Sequence, residues 1–166
     1  MKEDISGLSK LLKKRNRLRQ YLLGFIDAEG CFSISLKKQK DTRFGWVLDP
    51  IFQVTQHATN KIILEQIKNE LSCGRIIEKP GQQDTLIYVV DNRRQLIEKV
   101  IPFFNKYQLV VKFADFERFK QVVLGLETKE HKNKNGFIKL MEIAFDMNLK
   151  GKQRKHKIEE IVRTMK

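Results

Sequence analysis

The sequence predicts an α+β fold: a four-stranded antiparallel sheet with one face covered by helices, in the order αββαββα, plus further helices at the C-terminal end. Three observations predict it. Apolar residues keep helical spacing up to about Ala28 and then alternate with polar ones from Phe32 to Lys37, a change of period from 3.6 to two. Two pairs of short, strand-like runs are each followed by a helical run with a capping residue at its head. At 166 residues, 41% apolar, the chain is long enough for one domain with a real core. The expected division is a basic N-terminal arm at 1–17, a folded domain at 18–150 and a basic tail with a short helix at 151–166.

Taken in order, residues 1–17 are polar and basic, with Lys10, Lys13, Lys14, Arg15, Arg17 and Arg19 close together. They read as a flexible arm touching phosphate or as a solvated lead-in to the helix expected from about Leu18 to Ala28. Phe32, Ile34 and Leu36 then alternate with Ser33, Ser35 and Lys37, giving a strand with one apolar face. A polar turn follows at 37–43. The stretch 44–56 is the second strand, where Pro50 marks a bulge or an edge position. Thr59 or Asn60 caps a helix through Leu71 with Ile63, Ile67 and Leu71 facing inward, ended by Cys73 and Gly74. Residues 74–79 and 85–90 are two more strands. Asp91 or Asn92 then caps a helix to about Phe104, bent or ended by Pro102. Phe113, Phe116, Phe119, Val123 and Leu126 recur at helical spacing and belong to the core, not to a platform for stacking bases. A helix near 137–147 and a short final helix complete the chain.

Charge sets the class of partner. There are 33 Lys and Arg against 20 Asp and Glu, a net charge of +13. Such an excess favours a polyanion, nucleic acid first and an anionic membrane second, with binding that weakens steeply as salt rises. Cys31 and Cys73 form no C-x-x-C pair, and His57, His131 and His156 are scattered, so zinc is not expected and both thiols are read as free and buried. No run approaches the roughly 20 apolar residues of a membrane span. The start, with acids at 3 and 4 and no apolar core, is not a secretory signal.

The most informative stretch is LLGFIDAEG, Leu22 to Gly30. Asp27 and Glu29 fall at the end of a helix, where the dipole disfavours anions and a compensating partner is expected. Gly24 and Ala28 stand four apart on one side of the helix, a spacing that lets two helix backbones approach closely. This stretch resembles the signature of the LAGLIDADG homing endonucleases at Leu22, Gly24, Ile26, Asp27, Ala28 and Gly30. Phe25 and Glu29 are common variants, and Leu23 stands where alanine is usual. FQVTQ at 52–56 is similar to a family strand ending in a polar site residue, here Gln56. YQLVVKFADFERFKQ at 107–121 looks like the segment whose lysine enters the active site, here Lys112, although Val110 and Val111 stand where more polar residues are common. GFIKLMEIAFDMN at 136–148 resembles a C-terminal helical segment of organellar members.

The resemblance implies a metal-dependent nuclease that cuts both strands of a long pseudo-palindromic DNA site and promotes intron or intein mobility. The implied catalytic residues are Glu29, Gln56 and Lys112. Glu29 and the backbone carbonyl of Ala28 would hold Mg2+, with Mn2+ able to substitute and Ca2+ supporting binding without cleavage. One copy of the motif supplies one principal acid, so a homodimer is implied, its interface built from Leu22, Gly24, Phe25, Asp27 and Ala28, with Asp27 a structural cap or helix-interface group. The sheet face away from the core would meet DNA through Ser33, Ser35, Lys37, Gln39, Val47, Asp49, Ile51, Gln53, Arg75, Ile77, Lys79, Ile87 and Val89, a mixture of donors, acceptors and apolar tips suited to base edges in the major groove. An intron RNA maturase and an inactive DNA-binding regulator are the other readings. The compartment would be a chloroplast or mitochondrion for an organellar intron, otherwise a prokaryotic cytoplasm.

Overall fold

The computed structural model describes residues 4–147 and 156–165, with side chains from residue 13 onward. Helix α1 (Asp4–Glu29) leads directly into β1 (Gly30–Lys38), and a tight turn returns the chain as β2 (Trp46–His57). A 3-10 turn and α2 (Lys61–Leu71) precede β3 (Arg75–Glu78) and β4 (Thr85–Val90). A third helical stretch comprises α3 (Arg93–Gln95), a π turn (Leu96–Val100) and α4 (Ile101–Lys106). Then come α5 (Phe113–Glu127), α6 (Lys134–Phe145) and α7 (Ile158–Thr164). The four strands form one antiparallel sheet, as expected, and their order is β1-β2-β4-β3.

Several boundaries differ from expectation for identifiable reasons. The basic stretch before Leu18 is no arm from Asp4 onward: it is the first half of α1, with Lys13, Lys14, Arg15 and Arg17 exposed. Lys10 lies among the residues whose side chains are not described, and most of the basic tail lies outside the described residues. Arg19 turns inward, pairs with Glu70 of α2 and stacks 4.7 Å from the Tyr107 ring centre, so α1 is pinned to two other segments. Neither Thr59 nor Asn60 caps α2 through its side chain. His57 closes the preceding turn instead, its Nδ1 accepting from the Thr59 N–H. Asn92 does cap its helix, accepting from the Gln95 N–H. Pro102 does not end that helix. It lies two residues past the π turn, and a π turn is the irregularity with which a helix absorbs such a misfit. Pro50 makes no bulge, because β4 pairs only with Phe52–His57 and leaves the first half of β2 as an edge.

The helical layer covers one sheet face. Phe32, Phe52, Phe104, Phe116 and Phe119 form its centre, with ring centres 4.8–5.5 Å apart from Phe32. Full burial of each such side chain contributes about 1.5–3 kcal/mol, so this cluster is the main anchor of α4 and α5 on the sheet. Phe113 is the exception to the predicted core set: it opens α5 and is exposed. Trp46 ties down α7, donating its indole N–H to the Thr164 hydroxyl at 3.2 Å. Among the described residues no helix is long and apolar enough to cross a membrane.

Candidate active site

The motif helix delivers its acids without a connecting loop. A Cβ on Gly30 would stand 2.5 Å from the Ile26 carbonyl oxygen, so only glycine lets the strand begin where the helix stops. Gly30 is not a left-handed helix cap, as its φ is not positive.

Asp27 and Glu29 then part. The Asp27 carboxylate accepts the backbone N–H groups of Val110, Val111 and Lys112 at 2.9–3.0 Å. These donors supply the compensation that an acid at a helix C-terminus requires, and they come from the backbone of the segment leading into α5. Burial pushes the Asp27 carboxyl upward, but the three N–H groups and the Lys112 charge outweigh it and hold the pKa below the usual carboxylate value. Glu29, two residues on, is exposed and makes no side-chain hydrogen bond or ion pair among the described residues.

The clasp brings the start of α5 to the start of β1. Burial raises the Cys31 thiol pKa; the nearby Lys112 charge opposes this, while Asp115 adds to it. Lys112 and Asp115 therefore lie within electrostatic reach of Cys31, two residues past Glu29. Cys31 is half-buried, not fully buried as expected, and Cys73 is buried; both are free. Gln56 lies at the same end of the sheet: Val54 pairs with Gly30, so β2 runs past the start of β1. Its side chain turns back on its own segment, the Oε1 accepting from the His57 N–H at 2.8 Å and from Asn60 at 3.4 Å. Glu29, Gln56 and Lys112 thus share one end of the sheet, and Asp27 links only Lys112 to the motif.

Alternation places Ser33, Ser35, Lys37, Val47, Asp49, Ile51, Gln53, Arg75, Ile77, Ile87 and Val89 on the face away from the helices. Gln39 and Lys79 stand one residue beyond β1 and β3, each still donating its backbone N–H across the ladder, Gln39 to Gly45 and Lys79 to Thr85. Ile87 and Val89 are only 8% and 6% exposed. They sit on the inner strand β4, flanked by the longer Arg75 and Ile77 on one side and Gln53 and Thr55 on the other. The charges on this face are already paired: Lys37 with Asp49, and Arg75 with Asp91 through two bonds of 2.6 and 2.7 Å. The Ser33 and Ser35 hydroxyls donate to the β2 carbonyls of Ile51 and Asp49.

Of the residues assigned to an interface, Leu22 is 1% exposed and belongs to the chain's own core, so it cannot meet a partner. Phe25 is half-buried, packed partly against the same core. Gly24 and Ala28 are exposed, in line with exposed Leu18 and Tyr21, and a Cβ on Gly24 would meet nothing within 4 Å.

A single chain offers no complete metal site: among the described residues no group of three or more His, Cys, Asp or Glu could hold an ion. The free, exposed Glu29 carboxylate nonetheless fits one oxygen ligand of a hard divalent cation, with other ligands coming from outside the chain.

The family model for LAGLIDADG endonucleases matches residues 22–123, spanning the motif, the whole sheet and most of α5. The chain belongs to the LAGLIDADG endonuclease family. It is 36% identical to homing endonuclease I-ApeII of Aeropyrum pernix over 152 residues, covering 88% of this chain and 89% of that one. It is 42% identical to DNA endonuclease I-CeuI of Chlamydomonas moewusii over 102 residues, covering 61% of this chain but 46% of that protein. In three dimensions it is similar to the archaeal intron-encoded homing endonuclease I-Vdi141I complexed with DNA, with a TM-score of 0.84, 40% identity and coverage of 90% of this chain and 95% of that one. This LAGLIDADG chain has the family's sheet and motif helix in one copy each. Sequence reading missed that Asp91, expected only as a possible helix cap, pairs with Arg75, and that Cys31 and Asp115 come near the site. Their pairing across strands and helices leaves no short-range pattern.

Proposed function

We propose that this LAGLIDADG homing endonuclease acts as a homodimer that cuts both strands of a pseudo-palindromic DNA site by metal-dependent hydrolysis. One observation carries the reading: of the two acids at the end of α1, Asp27 is fully occupied by backbone donors, the Lys112 N–H among them, while Glu29 is left free and exposed. Glu29, with the Ala28 carbonyl next to it, is the residue that would hold a divalent ion, Mg2+ by preference. Such an ion, when bound, neutralises charge on the phosphate and favours ionisation of an attacking water.

The chain's own groups do the rest. Lys112 is held toward the motif by its backbone bond to Asp27 and would stabilise negative charge as it develops on the reacting phosphate. Gln56, at the end of β2, would orient water once released from its local bonds by the substrate. One chain has one such acid, so two strands need two chains, packed along Leu18, Tyr21, Gly24 and Ala28. The free face of each sheet would lie on DNA, where its internal ion pairs must open or accept base edges as they stand. An archaeal intron-encoded homing endonuclease and a probable intron-encoded endonuclease of Schizosaccharomyces pombe among the relatives support an intron-borne gene.

Glu29→Gln tests the assignment. The variant should bind its duplex with unchanged affinity and lose about 10²-fold or more in cutting rate, the scale of losing one electrostatic group at a reacting centre. Full cutting by this variant would remove Glu29 from the site.

A further inference from the structure

The excess positive charge does not lie mainly on the sheet's free face, whose Lys37 and Arg75 are both paired. A denser group of cations sits at the β1–β2 turn end. Arg43 of the turn, Arg93 of α3, and Lys129, Lys132 and Lys134 of the segment joining α5 to α6 line two adjoining cavities there. The smaller of the two, about 290 Å3, has an apolar floor that includes Phe44, Leu126 and Phe137, over which charges are poorly screened. Val47, whose side chain alternates onto the free face, lines the same cavity, so the cluster borders the surface assigned to DNA.

Among the described residues no carboxylate pairs with this cluster: Arg93, Lys129, Lys132 and Lys134 form no ion pair. Glu130, the acid of the segment, is 3.7 Å from Lys139 and takes a bond from Thr128. Arg43 is fixed by donating to the Lys132 carbonyl at 2.7 Å, which ties the turn to the segment. His131 between them has a buried Nδ1 without a partner. Burial, then Arg93 and Lys132, hold its pKa below the ordinary histidine value. Lys134 opens α6, where the helix dipole disfavours a cation, so local stability is not the reason for a lysine there.

We propose that Arg93, Lys129, Lys132 and Lys134 form a phosphate-gripping patch for the DNA backbone flanking the stretch that the sheet reads. The inference rests on the reading of the chain as a DNA endonuclease. Contacts of this kind set register and affinity and carry no base preference, which complements a sheet face whose own cations are committed.

The test is duplex binding in calcium over a range of potassium chloride, using the selected target. An Arg93→Ala, Lys132→Ala double variant keeps the Lys132 carbonyl that Arg43 needs, and Lys68→Ala on α2 is the control. The double variant should flatten the slope of log affinity against log salt by about 2 with sequence preference unchanged. Lys134→Glu should weaken binding about tenfold or more while leaving the melting temperature equal or higher, because an acid suits the first turn of a helix. Wild-type slopes in all variants, with the wild type selecting its target normally, would overturn the patch and leave the endonuclease reading standing. Lost sequence preference with an unchanged slope would overturn it in favour of base reading. A wild type that selects no DNA would overturn both.

Discussion

Asp27 and Glu29 stand two residues apart in one motif and have different tasks because of what each can reach. Asp27 ends inside a ring of backbone N–H groups, whereas Glu29 ends in open space. Asp27→Asn keeps the shape but replaces charge-assisted acceptance by a weaker one, and part of the amide would present donors to donors. The expected cost is about 1–3 kcal/mol, a fall in melting temperature of several degrees. The pH dependence has a definite sign. The folded Asp27 pKa is lowered, so its stabilisation is present above the ordinary carboxylate value and is lost as pH falls through the folded value. Acid melts of wild type and Asp27→Asn should therefore converge at low pH, and a gap that widens on acidification would contradict the clasp. The motif's acids were legible in the sequence as a pair needing compensation. That the compensation is a backbone segment 83–85 positions away was not, because no local pattern connects them.

At the scale of elements, α1 has two working faces. Leu22 and Ile26 enter the core, while Leu18, Tyr21, Gly24 and Ala28 are left to solvent. Sequence spacing alone set Leu22 with the interface, since Gly24 and Ala28 show that a face exists but not where the core lies around the helix. Gly24→Leu discriminates cleanly: nothing within 4 Å opposes a new side chain, so the monomer should keep its melting temperature while sedimentation shifts from dimer to monomer. An unchanged dimer would remove α1 from the interface. The strands were legible because alternation is strict, with β4 matching its expected bounds. The exposure of Ile87 and Val89 was not, because it depends on which strands flank β4, and strand order is a tertiary property. Pro102 was misread for a similar reason: the π turn that lets a helix continue has no signature of its own.

For the whole molecule the governing quantity is the charge of +13 on 166 residues. Like charges along α1 and around the α5–α6 segment repel in the free protein, and added salt screens them over a Debye length of about 8–10 Å near physiological strength. The melting temperature of the free protein should rise as salt is added, and DNA binding should weaken over the same range; a melting temperature that falls would contradict this picture. Fold class, the family and the nature of the partner were legible from the chain because periodicity, one motif and net charge each survive without coordinates. The pairing of Lys37 and Arg75 and the cation cluster around His131 were not, since they depend on residues that meet only after folding.

The central claim is that this single-motif chain is a metal-dependent, site-specific DNA endonuclease. It is tested most directly by exposing a randomised double-stranded DNA library to the purified protein with magnesium and, in parallel, with calcium. The account predicts cuts in both strands at one pseudo-palindromic sequence in magnesium and binding of that same sequence without cutting in calcium. Selection of a sequence with no cutting in either ion would contradict it.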